Sequence, residues 1–151
     1  MPPLIYSVNL ILCETVIQGS DGVLTPVRIV DQFSYTPIPE VPVESQAVSI
    51  SVLAMVKTNP TPSEQASKFQ FKLLRPNGEE SALTEPQMIE PDLPPKLEDD
   101  IQPLGGFNIM LNIGVKPAYQ GVYVLKFMMD DEEISRAQFI LIRRAPKLAQ
   151  K

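Results

Sequence analysis

The stretch "GVYVLKFMMDDEEISRAQFILIR", from Gly121 to Arg143, decides the fold. It reads as a single hairpin: a strand, an acidic turn and a returning strand. Tyr123, Leu125, Phe127 and Met129 share one face, and Ala137, Phe139 and Leu141 join them from the return strand. In a strand, successive side chains point to opposite faces, so these seven define a core-facing side. The opposite face carries Val122, Val124 and Met128 against Ile134, Ile140 and Ile142, interrupted by Lys126, Arg136 and Gln138. A sheet face open to water is normally more polar than this. What covers that second face is the question the hairpin raises.

Outward from the hairpin, period-two alternation recurs. In "KFQFKLL", Phe69, Phe71 and Leu73 oppose Lys68, Gln70 and Lys72. In "FNIMLNIGV", Phe107, Ile109, Leu111, Ile113 and Val115 point inward, with Asn108, Asn112 and Lys116 outward. Val48, Ile50, Val52, Ala54 and Val56 share a face, as do Leu4, Tyr6, Val8, Leu10 and Leu12. Asn77-Gly78 is a strong turn signal, because both residues tolerate positive φ. Gly19 to Gly22 marks another turn, after which Val23 to Phe33 reads as one strand. Pro26 demotes that strand to an edge or a bulge. Gly105-Gly106 reads as a bend or bulge entering the next strand.

The chain has sixteen prolines, about double ordinary usage, and ten of them cluster at 37–42, 60–62 and 86–103. Each removes a ladder donor, so the clusters mark breaks between strands. No segment carries a helical repeat. The pattern predicts an all-β fold: an antiparallel β-sandwich of about seven to eight strands, immunoglobulin-like or C2-like. One domain is expected over 1–146, with a short tail at 147–151. The stretch Leu83 to Gln102 reads as a proline-stiffened acidic loop with a short strand near Gln87 to Ile89. Tyr123, just after a Gly-containing turn in the penultimate strand, is the candidate for a tyrosine corner. The alternative is an ordinary half-buried aromatic.

These elements together resemble a known family. "VNLILCETV", "DGVLTPVRIVDQF", "KFQFKLLRPNGEE" and the closing hairpin are similar to a bacterial family of small single-domain β proteins known only as a domain of unknown function. The shared features are the apolar first strand ending in Cys13-Glu14, the Pro76-Asn77-Gly78 hairpin and the closing hairpin. The resemblance implies a β-sandwich and carries no activity or catalytic residue across.

Composition removes several chemistries. The 151 residues contain no histidine, which excludes histidine-based triads, metal sites and pH switches. Cys13 is the single cysteine, so no intrachain disulfide forms and a reducing compartment is expected. As a nucleophile it lacks a base, and Glu14 beside it would raise its pKa. "LIYSVNLILC" is too short to span a bilayer and lacks a basic flank, so it is read as a strand and the protein as cytoplasmic. A net charge of −5 gives no positive field for a phosphate backbone, so the expected partners exclude nucleic acid and membrane.

No catalytic residue and no cofactor is assigned. The expected function is a protein–protein interaction or assembly module, with a protein partner or self-association through Val122, Val124, Met128, Ile140 and Ile142. The alternative is a Ca²⁺- or ligand-binding domain using acidic loops, with Asp99, Asp100, Asp130 and Asp131 as candidate ligands. Against it, neither acidic run has the spacing of an EF-hand loop.

Overall fold

The computed structural model describes residues 5–42, 46–58, 67–89, 105–116 and 119–144. The expected tail at 147–151 lies outside them. Ten strands are formed among the described residues: β1 (Ile5–Gln18), β2 (Leu24–Ile29), β3 (Gln32–Tyr35), β4 (Val48–Thr58), β5 (Ser67–Leu74), β6 (Glu80–Ala82), β7 (Gln87–Ile89), β8 (Gly105–Val115), β9 (Gly121–Met129) and β10 (Glu132–Arg143). They build two packed sheets, one ordered β2-β1-β4-β8 and the other β3-β10-β9-β5-β6, with β7 also on β5. The all-β sandwich predicted from the alternation is therefore formed. The β1-β4-β8 and β5-β9-β10 arrangement is the order of the immunoglobulin-like sandwich.

The core lies between the sheets and is filled from the predicted faces. Ile50, Val52, Ala54 and Val56 of β4 meet Phe71, Leu73, Tyr123, Leu125, Phe127, Phe139 and Leu141 of the opposite sheet, all buried. Tyr123 stacks on Phe139 with ring centroids 5.2 Å apart, and Phe33 meets Phe139 edge-on at 5.8 Å. Such aromatic pairs add about 0.5–1.5 kcal/mol beyond the area they bury. Tyr123 also donates its hydroxyl proton to the Tyr119 carbonyl at 2.6 Å, which makes it a tyrosine corner.

Several details differ from the sequence reading. The described residues form ten strands where about seven to eight are expected, because the stretch 23–33 divides into β2 and β3 and the three-residue β6 is added. Val23–Phe33 is not one strand. Arg28 takes a left-handed φ of 55°, and the chain then leaves one sheet for the other. Val30 N–H still bonds Leu12 C=O in the four-stranded sheet, whereas Asp31 C=O accepts from Ile140 N–H in the six-stranded sheet. β3 consequently runs parallel to β10, in register Ile140↔Gln32, so the sandwich is not wholly antiparallel. β2, which holds Pro26, is an edge strand as expected.

Gly105 and Gly106 make no bulge; they pair in register with Thr58 and Lys57. Glycine is required at 106 because a Cβ there would lie 2.7 Å from the Val56 carbonyl oxygen. The predicted strand at Gln87–Ile89 is present as β7, pairing with β5 at Phe69 and its neighbours.

Candidate interaction surface

The outer face of the six-stranded sheet is built from alternate residues of β10, β9 and β5. Register places Ile140 beside Val122, Gln138 beside Val124 and Arg136 beside Lys126. Across β9, Val124 faces Leu74, Lys126 faces Lys72 and Met128 faces Gln70. On the other flank, Ile140 adjoins Gln32 and Ile142 adjoins Ser34. Because the side chains of opposite residues project on one side, these rows form a continuous surface.

The surface divides into two ends. One end is apolar: Val122 is 46% exposed and Ile140 41%, with Ile142 half-buried beside them. The other end is ionic. Lys126 Nζ lies 3.2 Å from Glu80 and 3.9 Å from Glu133, and Glu133 also holds Arg136 at 2.6 Å. Its hydrogen bond to Glu133, and the attraction of that carboxylate, raise the Arg136 guanidinium pKa above its ordinary value. Lys126, Arg136, Glu80 and Glu133 are partnered along the sheet, so this end is polar and partly open to water, while the other end exposes apolar side chains.

The five residues expected at the surface are therefore separated. Val122, Ile140 and Ile142 come together at the open end. Val124 is buried, with Leu74 and Gln138 flanking it, so its place in an exposed patch is corrected. Met128 is half-buried at the far end, opposite Gln70. Leu74, missed from the sequence, extends the apolar rows; only its pairing with β9 identifies it.

The acidic candidates separate too. Asp130 and Asp131 have φ of 48° and 68°, the backbone of a two-residue hairpin turn between Met129 and Glu132. Asp130 exchanges two bonds with Lys68: its Oδ1 accepts from Lys68 N–H and its N–H donates to Lys68 C=O, both at 2.9 Å. Its carboxylate thus ties the turn to β5. Asp99 and Asp100 lie outside the described residues. Among the described residues, no group of three or more acidic, Cys or His side chains is placed to hold a metal ion.

Cys13 is fully buried on the outer side of β1, with its thiol 3.6 Å from the Ser51 carbonyl. Burial pushes the thiol above its ordinary pKa, against the lowering effect of nearby Val27 and Thr15 backbone groups. Such a thiol is a poor nucleophile at neutral pH. Among the described residues, no helix is long and apolar enough to cross a membrane.

No family model matches the chain, and no curated protein matches it. Among solved structures, the chain is similar to the Pseudomonas fluorescens alkylpurine DNA glycosylase AlkC bound to DNA containing an abasic site analog. The identity is 10% and the TM-score 0.44, over 74% of this chain and 28% of that one. The chain thus spans under a third of that protein's length. One expectation is corrected here. The net-charge expectation that excludes nucleic acid is withdrawn, because the similar structure is of a protein bound to DNA. A likeness at this level carries no statement about what this chain binds.

Proposed function

We propose that this domain is a non-catalytic protein-interaction module that engages its partner through the open apolar end of the six-stranded sheet. The observation that carries the reading is the adjacent, exposed pair Val122 and Ile140, with Ile142 next to them, at the apolar end of a sheet face whose other end carries ion pairs. A fully buried Val or Ile side chain contributes about 1.5–3 kcal/mol, so three such residues suit the centre of a contact. A rigid sheet also presents them without ordering a loop on binding, which keeps the entropic cost of association down. A reducing, cytoplasmic setting fits the buried free thiol of Cys13.

The test is capture of partners from a lysate of the source cells on the immobilised domain. Wild type is expected to retain a defined protein that the Val122→Asp/Ile140→Asp variant does not. Equal capture by both, with the variant folded by circular dichroism, would refute this reading.

A further inference from the structure

The four-stranded sheet ends at β8. Among the described residues, no strand pairs with the edge of β8 that faces away from β4. This edge is eleven residues long, pairs with β4 without a register shift, and contains no charge and no proline. Natural sheets usually protect such an edge with a lysine, a proline, a bulge or a very short strand, because free N–H and C=O groups recruit another strand. β8 has none of these devices, and it leaves Met110 48% exposed on its outer face.

The sequence of the edge is symmetric by residue class. "GFNIMLNIG", Gly106 to Gly114, reads nearly alike in both directions about Met110. An antiparallel pair of two copies, with a two-fold axis at Met110, places like opposite like. Met110 faces Met110 of the second copy, Asn108 faces Asn112, Ile109 faces Leu111, and Gly106 faces Gly114. We infer that β8 is the interface of a two-fold dimer in which the two four-stranded sheets join into one sheet of eight strands. The partner at this edge is a second copy of the chain, because an isologous contact requires a surface complementary to itself.

Three further features fit this arrangement. Ile11, Leu53 and Met110 lie in one row across β1, β4 and β8, and the axis would continue that row into its mirror row. The Ser51 hydroxyl donates to Asn112 Oδ1 at 2.8 Å, which leaves the Asn112 amide nitrogen to meet Asn108 of the second copy. Gly114 has positive φ neither by need nor in fact, and a Cβ there would make only an ordinary contact with Ala47 at 3.7 Å. Within one chain, then, no crowding demands glycine at 114. Across the axis it faces Gly106, over which the Lys57 side chain lies, at 3.2 Å from a Cβ built there. A small residue at 114 leaves room for that lysine. This inference concerns a surface other than the Val122–Ile140 face and does not rest on it.

The test is sedimentation of the full chain together with cysteine cross-linking. Wild type should sediment as a dimer. Met110→Lys, which places two like charges on the axis at an exposed position, should give a monomer with an unchanged circular dichroism spectrum. In a Cys13→Ala background, Met110→Cys should cross-link to itself on mild oxidation, since directly opposed strand residues lie within disulfide range. Asn108→Cys should cross-link only when mixed with Asn112→Cys. A wild type monomeric across the micromolar range, as when the edge is covered from within the chain, overturns the inference. So does a dimer that survives Met110→Lys, or cross-linking of Asn108→Cys alone as efficient as in the mixture.

Discussion

The Tyr123 hydroxyl donates to the Tyr119 carbonyl at 2.6 Å while its ring stacks on Phe139 in the core. The side chain is fully buried, and its hydroxyl is satisfied by a backbone acceptor. Tyr123→Phe keeps the stacking and deletes the bond, and should cost about 1–3 kcal/mol in urea unfolding. Burial is the main cause raising the Tyr123 pKa above its ordinary value, with the Arg75 charge opposing it. A raised folded pKa means that the native state holds the proton more tightly than the unfolded chain. Its stability contribution is complete below the unfolded value of about 10 and is lost as pH rises through the folded value. Wild type should therefore lose stability above about pH 10 more steeply than Tyr123→Phe. Parallel alkaline melting curves for the two would contradict this.

Cys13 makes stability fall with rising pH in the same direction. Its thiol is buried and its pKa raised, so its contribution is complete below the unfolded value of about 8.5 and falls as pH rises through the folded value. Native protein should react slowly with a thiol reagent at neutral pH and fast once unfolded. Cys13→Ala should cost about 1 kcal/mol through a small cavity and flatten the stability profile above the unfolded value of about 8.5. Rapid labelling of folded protein would show that the thiol is accessible.

Residue parity along the strands made much of this fold readable. Phe69, Phe71 and Leu73 lie on the core face, as do Ile50, Val52 and Val56, because alternation reports which side of a sheet is buried. It does not report which sheet a strand joins. Val27, Ile29 and Phe33 share one parity, yet the chain changes sheet at Val30 and Asp31. The cause is a backbone event at Arg28 and a crossover, neither of which alters hydrophobicity. β6, at Glu80–Ala82, has no apolar pattern because it only borders β5 at Lys72–Leu74. The candidate surface was legible in the same partial way. Parity placed Val122, Val124 and Ile140 on one face, but depth depends on neighbours. Val124 has Leu74 beside it and is buried, whereas Val122 lies one row nearer the end of β9 and remains open.

The Asp130–Asp131 turn yields a third prediction. Both residues occupy the left-handed region, which costs an L-residue energy that glycine does not pay. Asp131→Gly should raise stability by about 0.5–1 kcal/mol. Asp130→Ala should lower it by about 1–2 kcal/mol, because it keeps the strained backbone and removes the acceptor for Lys68 N–H. Thermal melts of the two variants should shift in opposite directions. A shift of the same sign would mean that the turn is not what sets their stability.

The last prediction separates the residues of the candidate surface by depth. Val122 and Ile140 are directly opposite and exposed, so a carboxylate at either position stays in water. Val122→Asp and Ile140→Asp should each change unfolding free energy by no more than about 1 kcal/mol while abolishing partner capture. Val124 is in the next row but only 8% exposed. Its immediate cross-strand neighbours are Leu74 and Gln138, neither of which offers a cation. Val124→Asp therefore desolvates a carboxylate with no cation directly opposite, Lys126, Lys72 and Arg136 being one row away, and should cost about 2 kcal/mol or more. The expected pattern is two folded, non-binding variants and one destabilised variant, read by urea unfolding beside the capture assay. If Val122→Asp and Ile140→Asp unfold the domain as readily as Val124→Asp, the apolar end is covered from within the chain. In that case the proposed contact surface is lost.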